Sequence, residues 1–324
     1  MKKIINPMAF RDSSDPYMTY DKETGYYYCL FSEWEYLKIY RSRHAANILR
    51  DNDFLVIRKG NGDNSIYGNI WAPEMYKAEN GLWYLYSSST YQQEFAGKRW
   101  AGEKRLFVLE SNTHNPFDGF YFKNRLDDSL FAIDPTVYKT KDGKLLMCYS
   151  RVVENQVLEI REMVNPYTLG DKRAIIAEPT FSWELFPAQG TWMINEGAFF
   201  VENGNKLFIV YSYNGAFNDD YGLAILEYLG GDYCDKKSWK KLDKPFFTKG
   251  NGIYGPGHAS FFRSPDGTEL WCAYHGMNHH NETEEETERY MNIQKIDFDE
   301  NGYPKATIPV GWGVEMDAPS GEDE

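Results

Sequence analysis

The sequence predicts an all-β chain folded as a five-bladed β-propeller, and three observations carry that prediction. A hairpin-like unit recurs five times, its turn glycines stand at a near-constant spacing, and no linker-like break interrupts the series. The copy that defines the unit runs from Phe131 to Ser150 and reads FAIDPTVYKTKDGKLLMCYS. A short apolar run carries Asp134, Asp142-Gly143 supplies a turn, and a second apolar run from Leu145 closes on Ser150. Two strand-like runs joined by Asp-Gly are a strong local hairpin signal, because glycine accepts the positive φ such turns need. The same unit surrounds Gly25, Gly81, Gly204 and Gly267, so that with Gly143 the turns stand 56, 62, 61 and 63 residues apart. A period of roughly 60 exceeds the roughly 40 to 50 of common propeller repeats and suits four-stranded blades with long loops.

The strands after the turns read YYYCLFS, LWYLYSSS, KLFIVYS and ELWCAYH, each an apolar or aromatic run closing on a small polar residue or a histidine. The chain of 324 residues is long enough for two domains, yet the repeats run from near Asp15 to near Phe298 without a break. Residues 1–312 therefore read as one domain, with 313–324, ending in GEDE, as an acidic, disordered tail. RYMNIQKIDF, residues 289–298, alternates like a strand and is expected to complete the fifth blade.

Composition narrows the function. The net charge of −13 argues against nucleic acid or an anionic membrane as partner, where a basic face is needed, and favours a neutral substrate. Aromatic residues make up 17 % of the chain. β-propensity and packing account for most of them, but ring faces are also what sugar-binding clefts stack on pyranoses and furanoses. No run of about 18 apolar residues exists, and MKKIINPMAF has the charges but not the apolar centre of a signal peptide. The chain as given is expected to be soluble and cytoplasmic, with a secreted or periplasmic location open if a signal peptide was trimmed. Cys29, Cys148 and Cys272 fall at similar places after their turns, which suits small hydrophobes inside blades better than disulfides, and Cys234 adds no CxxC or zinc spacing.

The candidate site follows from the first strand of each unit. Asp15-Pro16 lies ten residues before Gly25, and Asp134-Pro135 repeats it nine residues before Gly143. Asp-Pro alone is only a turn signal, and the matched placement gives it weight. In the second unit Ala72 takes that place, nine residues before Gly81, next to Trp71, which suits a sugar platform and equally a packing role. Residues 90–105 form a long polar loop in which Trp100 is a candidate rim contact. Glu196, eight residues before Gly204, sits in the apolar run MINEGAFF, where desolvation raises a carboxyl pKa and suits a proton donor. His258 lies nine residues before Gly267, and His275 closes the second strand of that unit. Asp15, Asp134, Glu196 and His258 are thus expected on the inner strands of different blades, where several ionisable side chains around one axis exceed what packing requires. His279 and His280, in HHNETEEETE, read as part of a charged, solvated loop and not as a metal site.

Asp15-Pro16, Trp71-Ala72-Pro73-Glu74, Ile133-Asp134-Pro135, Asn195-Glu196-Gly197, Gly255-Pro256-Gly257-His258 and Tyr274-His275, in this order, resemble family 43 of the glycoside hydrolases. The resemblance spans residues 6 to 310. MVNPYTLGDKR, Trp183-Glu184 and the SPDG of residues 264–267 are most similar to its α-L-arabinofuranosidase-like members, while Ala198 departs from the proline many relatives have after Glu-Gly.

The resemblance implies a five-bladed propeller that hydrolyses glycosidic bonds with inversion, with Asp15 as general base, Glu196 as general acid and Asp134 orienting the acid and tuning its pKa. Inversion needs acid and base roughly 6.5 to 9.5 Å apart with water between them, a separation that carboxylates on different blades can reach. It further implies that Arg289 reaches the sugar, with His275 beside it. His258 would take part in an optional structural calcium site, a weak one, since calcium prefers oxygen ligands; no cofactor is required for the chemistry. Three readings compete: an exo-acting α-L-arabinofuranosidase on arabinan or arabinoxylan, a β-xylosidase or related exo-glycosidase on the same scaffold, and a non-catalytic carbohydrate-binding propeller. Retention of all three carboxylates argues against the last.

Overall fold

The computed structural model describes residues 3–60, 64, 66–92, 103–126, 131–187 and 192–322. A short strand β1 (Lys3–Ile5) precedes five antiparallel sheets. The first holds β2 (Tyr17–Asp21), β3 (Tyr26–Leu30), β4 (Tyr36–Ser42) and β5 (Phe54–Lys59). The second holds β6 (Trp71–Lys77), β7 (Trp83–Thr90), β8 (Lys104–Ser111) and β9 (Phe120–Arg125), and the third β10 (Ala132–Lys139), β11 (Leu145–Val152), β12 (Gln156–Asn165) and β13 (Thr168–Ala177). The fourth holds β14 (Asn195–Asn203), β15 (Lys206–Tyr213), β16 (Gly222–Tyr228) and β17 (Trp239–Lys241). The fifth holds β18 (Tyr254–Arg263), β19 (Leu270–Met277) and β20 (Tyr290–Ile296), and β21 (Glu315–Asp317) follows.

These sheets are the blades of a five-bladed propeller. The first strand of each contacts the first strand of the next, β2 to β6, β6 to β10, β10 to β14, β14 to β18 and β18 back to β2, which closes a ring around one axis. The five glycines read as turn markers all sit at positive φ, between 58° at Gly204 and 87° at Gly143. Because each blade is covered on both faces, its second strand buries every side chain where it is most enclosed, as in β7 and β19. That explains continuous apolar runs in place of strict alternation. Five hydrophobic clusters fill the junctions between neighbouring blades. Cys29, Cys148 and Cys272 lie in them, buried and unpaired.

The fifth blade has three strands in its sheet, and residues 6–13 line its open edge in place of a fourth. The Asn6 amide bonds both ways with Ile293, donating to its carbonyl at 2.9 Å and accepting its N–H at 3.0 Å. Met8 N–H donates to Met291 O at 2.8 Å, and Ser13 N–H to Arg289 O at 2.9 Å. An edge covered in this way no longer offers free backbone groups to another chain.

The disordered tail expected from residue 313 is corrected for 313–322. β21 pairs antiparallel with β1, and Glu322 Oε1 accepts the Ala45 N–H at 2.9 Å. The acidic composition misled because Glu322 has a partner on the first blade and Asp317 pairs with Lys3 of β1, while backbone pairing with β1 and the packing of Met316 on the first core cluster supply order. Among the described residues no helix is long and apolar enough to cross a membrane.

Candidate active site

Four of the five inner strands break their pairing at the same point. The register jumps between Trp71 and Glu74, Ile133 and Thr136, Glu196 and Phe199, and Gly257 and Ser260. A bulge of this kind bends the strand and re-aims a side chain. At each bulge one residue is left-handed: Ala72 (φ 44°), Asp134 (56°), Gly197 (55°) and His258 (46°), with Asp15 (54°) at the matching place, two residues before Tyr17. Left-handed non-glycine residues cost on the order of 1–3 kcal/mol each and persist only where the surroundings enforce them.

This pattern corrects the equivalence read for Glu196. Glu196 pairs with Ser212 as Ile133 pairs with Ser150 and Trp71 with Ser88, so it stands one residue before the bulge position, which Gly197 takes. One residue of offset changes the side from which a side chain leaves a strand. Glycine follows the acid because a Cβ at position 197 would lie 3.1 Å from the His258 ring, on top of the positive φ.

A bulge leaves a backbone N–H without its ladder partner, and a buried N–H needs one. The polar residues that close the second strands supply it for the neighbouring blade. Ser32 Oγ accepts the Ala72 N–H at 2.8 Å, Ser212 Oγ accepts the His258 N–H at 2.8 Å, and His275 Nδ1 accepts the Asp15 N–H at 3.0 Å.

Asp15 is held on all sides. Ser32 Oγ donates to Oδ2 at 2.6 Å, and Arg289 Nη1 donates to Oδ1 at 3.1 Å. Burial, the largest single influence, pushes its pKa up, but Arg289, His258 and His275 together outweigh it and the carboxyl stays well below the usual range. His275 is fully buried and its pKa is driven down to about 3, by burial first and then by Arg289. A backbone N–H can only donate, so the neutral ring accepts at Nδ1 and carries its hydrogen on Nε2. The expectation that His275 contacts the sugar is therefore corrected: it does not line the pocket and instead fixes Asp15 from behind.

Glu196 has both oxygens engaged, with Gln156 Nε2 donating to Oε2 at 2.6 Å and Tyr221 OH to Oε1 at 2.9 Å. Burial raises its pKa to about 7; the Tyr221 and Gln156 bonds oppose the rise and the Asp15 charge adds to it. Asp134 Oδ2 accepts the Gly197 N–H at 3.2 Å and lies 3.5 Å from Ser150 Oγ. Burial, then the charges of Glu196 and Asp15, push Asp134 well above the usual carboxylate range.

All three carboxylates line one pocket of about 90 Å³, together with Trp34, Trp71, Phe217, His258 and Arg289. Lys104 Nζ lies 3.6 Å from the Trp71 ring centroid and donates to Asn69 O at 2.5 Å, and Trp34 meets Trp71 edge-on at 5.8 Å. Arg289 packs on Phe217, with its guanidinium carbon 4.8 Å from the ring centroid. Trp100 lies outside the described residues. The loop read as solvated is in part docked: Asn281 Nδ2 donates to Phe217 O at 3.0 Å, Asn281 N–H to Asp219 Oδ1 at 2.8 Å, and His280 Nδ1 lies 2.7 Å from Asp219 Oδ2. Asn281 thereby ties its own loop to the loop of residues 214–221, which carries Phe217 of the pocket wall.

Sequence reading missed Gln156, Tyr221, Trp34, Phe217 and Ser32. Only Ser32 carried a signal, as the polar residue that closes its repeat strand.

The described protein groups around His258 supply few free oxygens to a calcium ion. Its Nδ1 faces Asp15 Oδ1 at 3.4 Å, and that carboxylate is already engaged by Arg289 and Ser32. Among the described residues no group of three or more histidine, cysteine or acidic side chains could hold a metal, whereas calcium takes six to eight oxygens.

The sequence matches Glycosyl hydrolases family 43 over residues 4–304. The chain belongs to that family. Among curated relatives, this family 43 chain is 30 % identical over 325 residues to an extracellular exo-alpha-(1->5)-L-arabinofuranosidase of Streptomyces avermitilis, covering 96 % of this chain and 64 % of that protein. It is 27 % identical over 286 residues to a relative of the same name from Streptomyces chartreusis, covering 85 % of this chain and 82 % of the relative. It thus spans less than two thirds of the first relative's length. An alpha-L-arabinofuranosidase structure from Lactobacillus brevis superposes with a TM-score of 0.83 at 25 % identity, over 96 % of this chain and 98 % of the other.

Proposed function

We propose that this family 43 chain is an inverting, exo-acting α-L-arabinofuranosidase acting on arabinan- or arabinoxylan-type chains. The observation that carries the reading is the opposed protonation of two carboxyls in one pocket: Glu196, raised to about 7, keeps its proton near neutrality, while Asp15 stays ionised. Environments that push two such pKa values apart divide acid from base. Glu196 protonates the departing glycosidic oxygen. Asp15 takes a proton from water, which attacks the anomeric carbon from the opposite face, so the product anomer is inverted. Asp134 orients Glu196 through Gly197 and disfavours its ionised form. Trp71 and Trp34 offer ring faces and edges to the sugar.

The exo reading is supported by the exo-acting names of the two Streptomyces relatives. The arabinofuranoside is supported by the names of the Streptomyces and Lactobacillus relatives. The word extracellular in two of those names supports action outside the cell over the cytoplasmic expectation.

Hydrolysis of aryl α-L-arabinofuranoside against aryl β-D-xyloside, with proton NMR of the first-formed sugar before mutarotation, tests the proposal. Preference for the arabinofuranoside with an inverted anomer is expected. Preference for the xyloside moves the assignment to a β-xylosidase, a retained anomer removes Asp15 as base, and inactivity on every glycoside leaves a binding propeller.

A further inference from the structure

We infer that Tyr221 is a positioning residue that joins the two halves of the site, its hydroxyl holding Glu196 and its ring holding the histidine that fixes Asp15. The inference rests on the acid–base reading above.

Tyr221 sits at the end of the loop between β15 and β16, fully buried, with its N–H bonded to Asn218 O at 3.0 Å. Its hydroxyl donates to Glu196 Oε1 at 2.9 Å. Its ring stacks on His275 at a centroid separation of 5.5 Å and an interplanar angle of 7°. His275 in turn accepts the N–H of Asp15. One side chain therefore touches the acid directly and reaches the base through a single intermediary.

The fold makes room for this ring. A Cβ on Gly257 would lie 2.3 Å from Tyr221 Cε1, a clash with a rigid ring held on its other side by His275. Gly257 does not have positive φ, so backbone conformation does not demand glycine there; the ring does. The glycine of the Gly-Pro-Gly-His stretch is thus matched to Tyr221, two blade elements fitted to one side chain.

The other groups facing Glu196 are Asp134 on β10, Asp15 ahead of β2, Arg289 ahead of β20, Gln156 on β12, and His258 on β18 against Gly197. Of these, Gln156 is the other direct donor to the carboxylate. Removing the tyrosine hydroxyl takes away one of two bonds that favour the ionised form, so Glu196 holds its proton to higher pH.

Tyr221→Phe removes the hydroxyl and keeps the ring. The pH profile of kcat/KM is expected to move on its alkaline limb only, upward by about half to one unit, the scale of one net hydrogen bond. The acid limb and the unfolding midpoint are expected to stay in place. Carbon-13 NMR of the Glu196 carboxyl, assigned with Glu196→Gln, reads the same shift without turnover. Tyr221→Leu also removes the stacked ring and is expected to lose about tenfold more kcat/KM than the Phe variant. A Phe variant whose profile and titration superimpose on the wild type overturns the hydroxyl's role, and a Leu variant no worse than Phe overturns the ring's. A wild-type chain with no glycosidase activity sinks the functional reading instead, while the NMR titration still decides the Tyr221 contact.

Discussion

Asp134 Oδ2 accepts the backbone N–H of Gly197 at 3.2 Å, so a carboxylate on one blade grips the residue that follows the proposed acid on the next. Both side chains are buried, and the charges of Glu196 and Asp15 add to burial in keeping Asp134 well above the usual carboxylate range.

Asp134→Asn removes the carboxyl whose ionisation competes with that of Glu196, while leaving an oxygen for the Gly197 N–H. Glu196 then ionises more readily, and the alkaline limb of kcat/KM is expected to move down, with kcat reduced about 10- to 100-fold. An unmoved limb would falsify the tuning role.

The wild-type profile should be asymmetric. Glu196 must be protonated to act, so activity falls as pH rises through about 7. Asp15 must be ionised, and Arg289, His258 and His275 together hold it well below the usual range, so the acid limb lies below the ordinary aspartate pKa of about 3.9. Initial rates at low substrate across the pH range of stability measure both limbs.

Asp15→Asn and Glu196→Gln are each expected to abolish turnover while the cooperative unfolding transition persists, because both changes preserve shape. Activity and thermal melting read on the same preparations check this. Wild-type rates in either variant would withdraw that residue's role.

Arg289→Lys keeps a cation but loses the planar guanidinium that packs on Phe217 and donates to Asp15. Asp15 is then less well stabilised in its ionised form, and the acid limb is expected to rise. The alkaline limb tests the change in the same experiment: Arg289 also favours ionised Glu196, so that limb should rise too, by less.

Gly197→Ala forces a side chain onto a φ of 55° and brings a Cβ within 3.1 Å of the His258 ring. A loss of about 1–3 kcal/mol in urea unfolding is expected, together with a fall in activity as Glu196 is pushed from Gln156 and Tyr221. Unchanged stability would mean that the bulge tolerates a side chain.

The blade count was legible because turns are local. An Asp-Gly or similar turn is written in adjacent residues, and five of them at near-equal spacing describe five hairpins before any long-range contact is known. Asp15, Asp134 and His258 were legible for the same reason, since each keeps its distance to its own turn. Glu196 was found by that count but placed one residue off. The bulge position in its blade belongs to Gly197, and the count of residues to Gly204 cannot show where a strand breaks register.

What only the tertiary structure decided comes from contacts between blades and from loops folded back over their own blade. Gln156 and Tyr221 reach Glu196 from 40 and 25 positions away, and neither residue type stands out in a chain with 25 tyrosines. His275 looked like a sugar contact until its Nδ1 was seen to take the Asp15 N–H, 260 positions away. The acidic tail looked disordered by composition, yet residues 315–317 pair with residues 3–5. Sequence periodicity records which residues share an environment within each repeat. Except for Tyr221, which reaches Glu196 from a loop of the same blade, the partners that set a pKa, fix a tautomer or order a terminus come from outside the repeat they serve, and closing the ring is what brings them together.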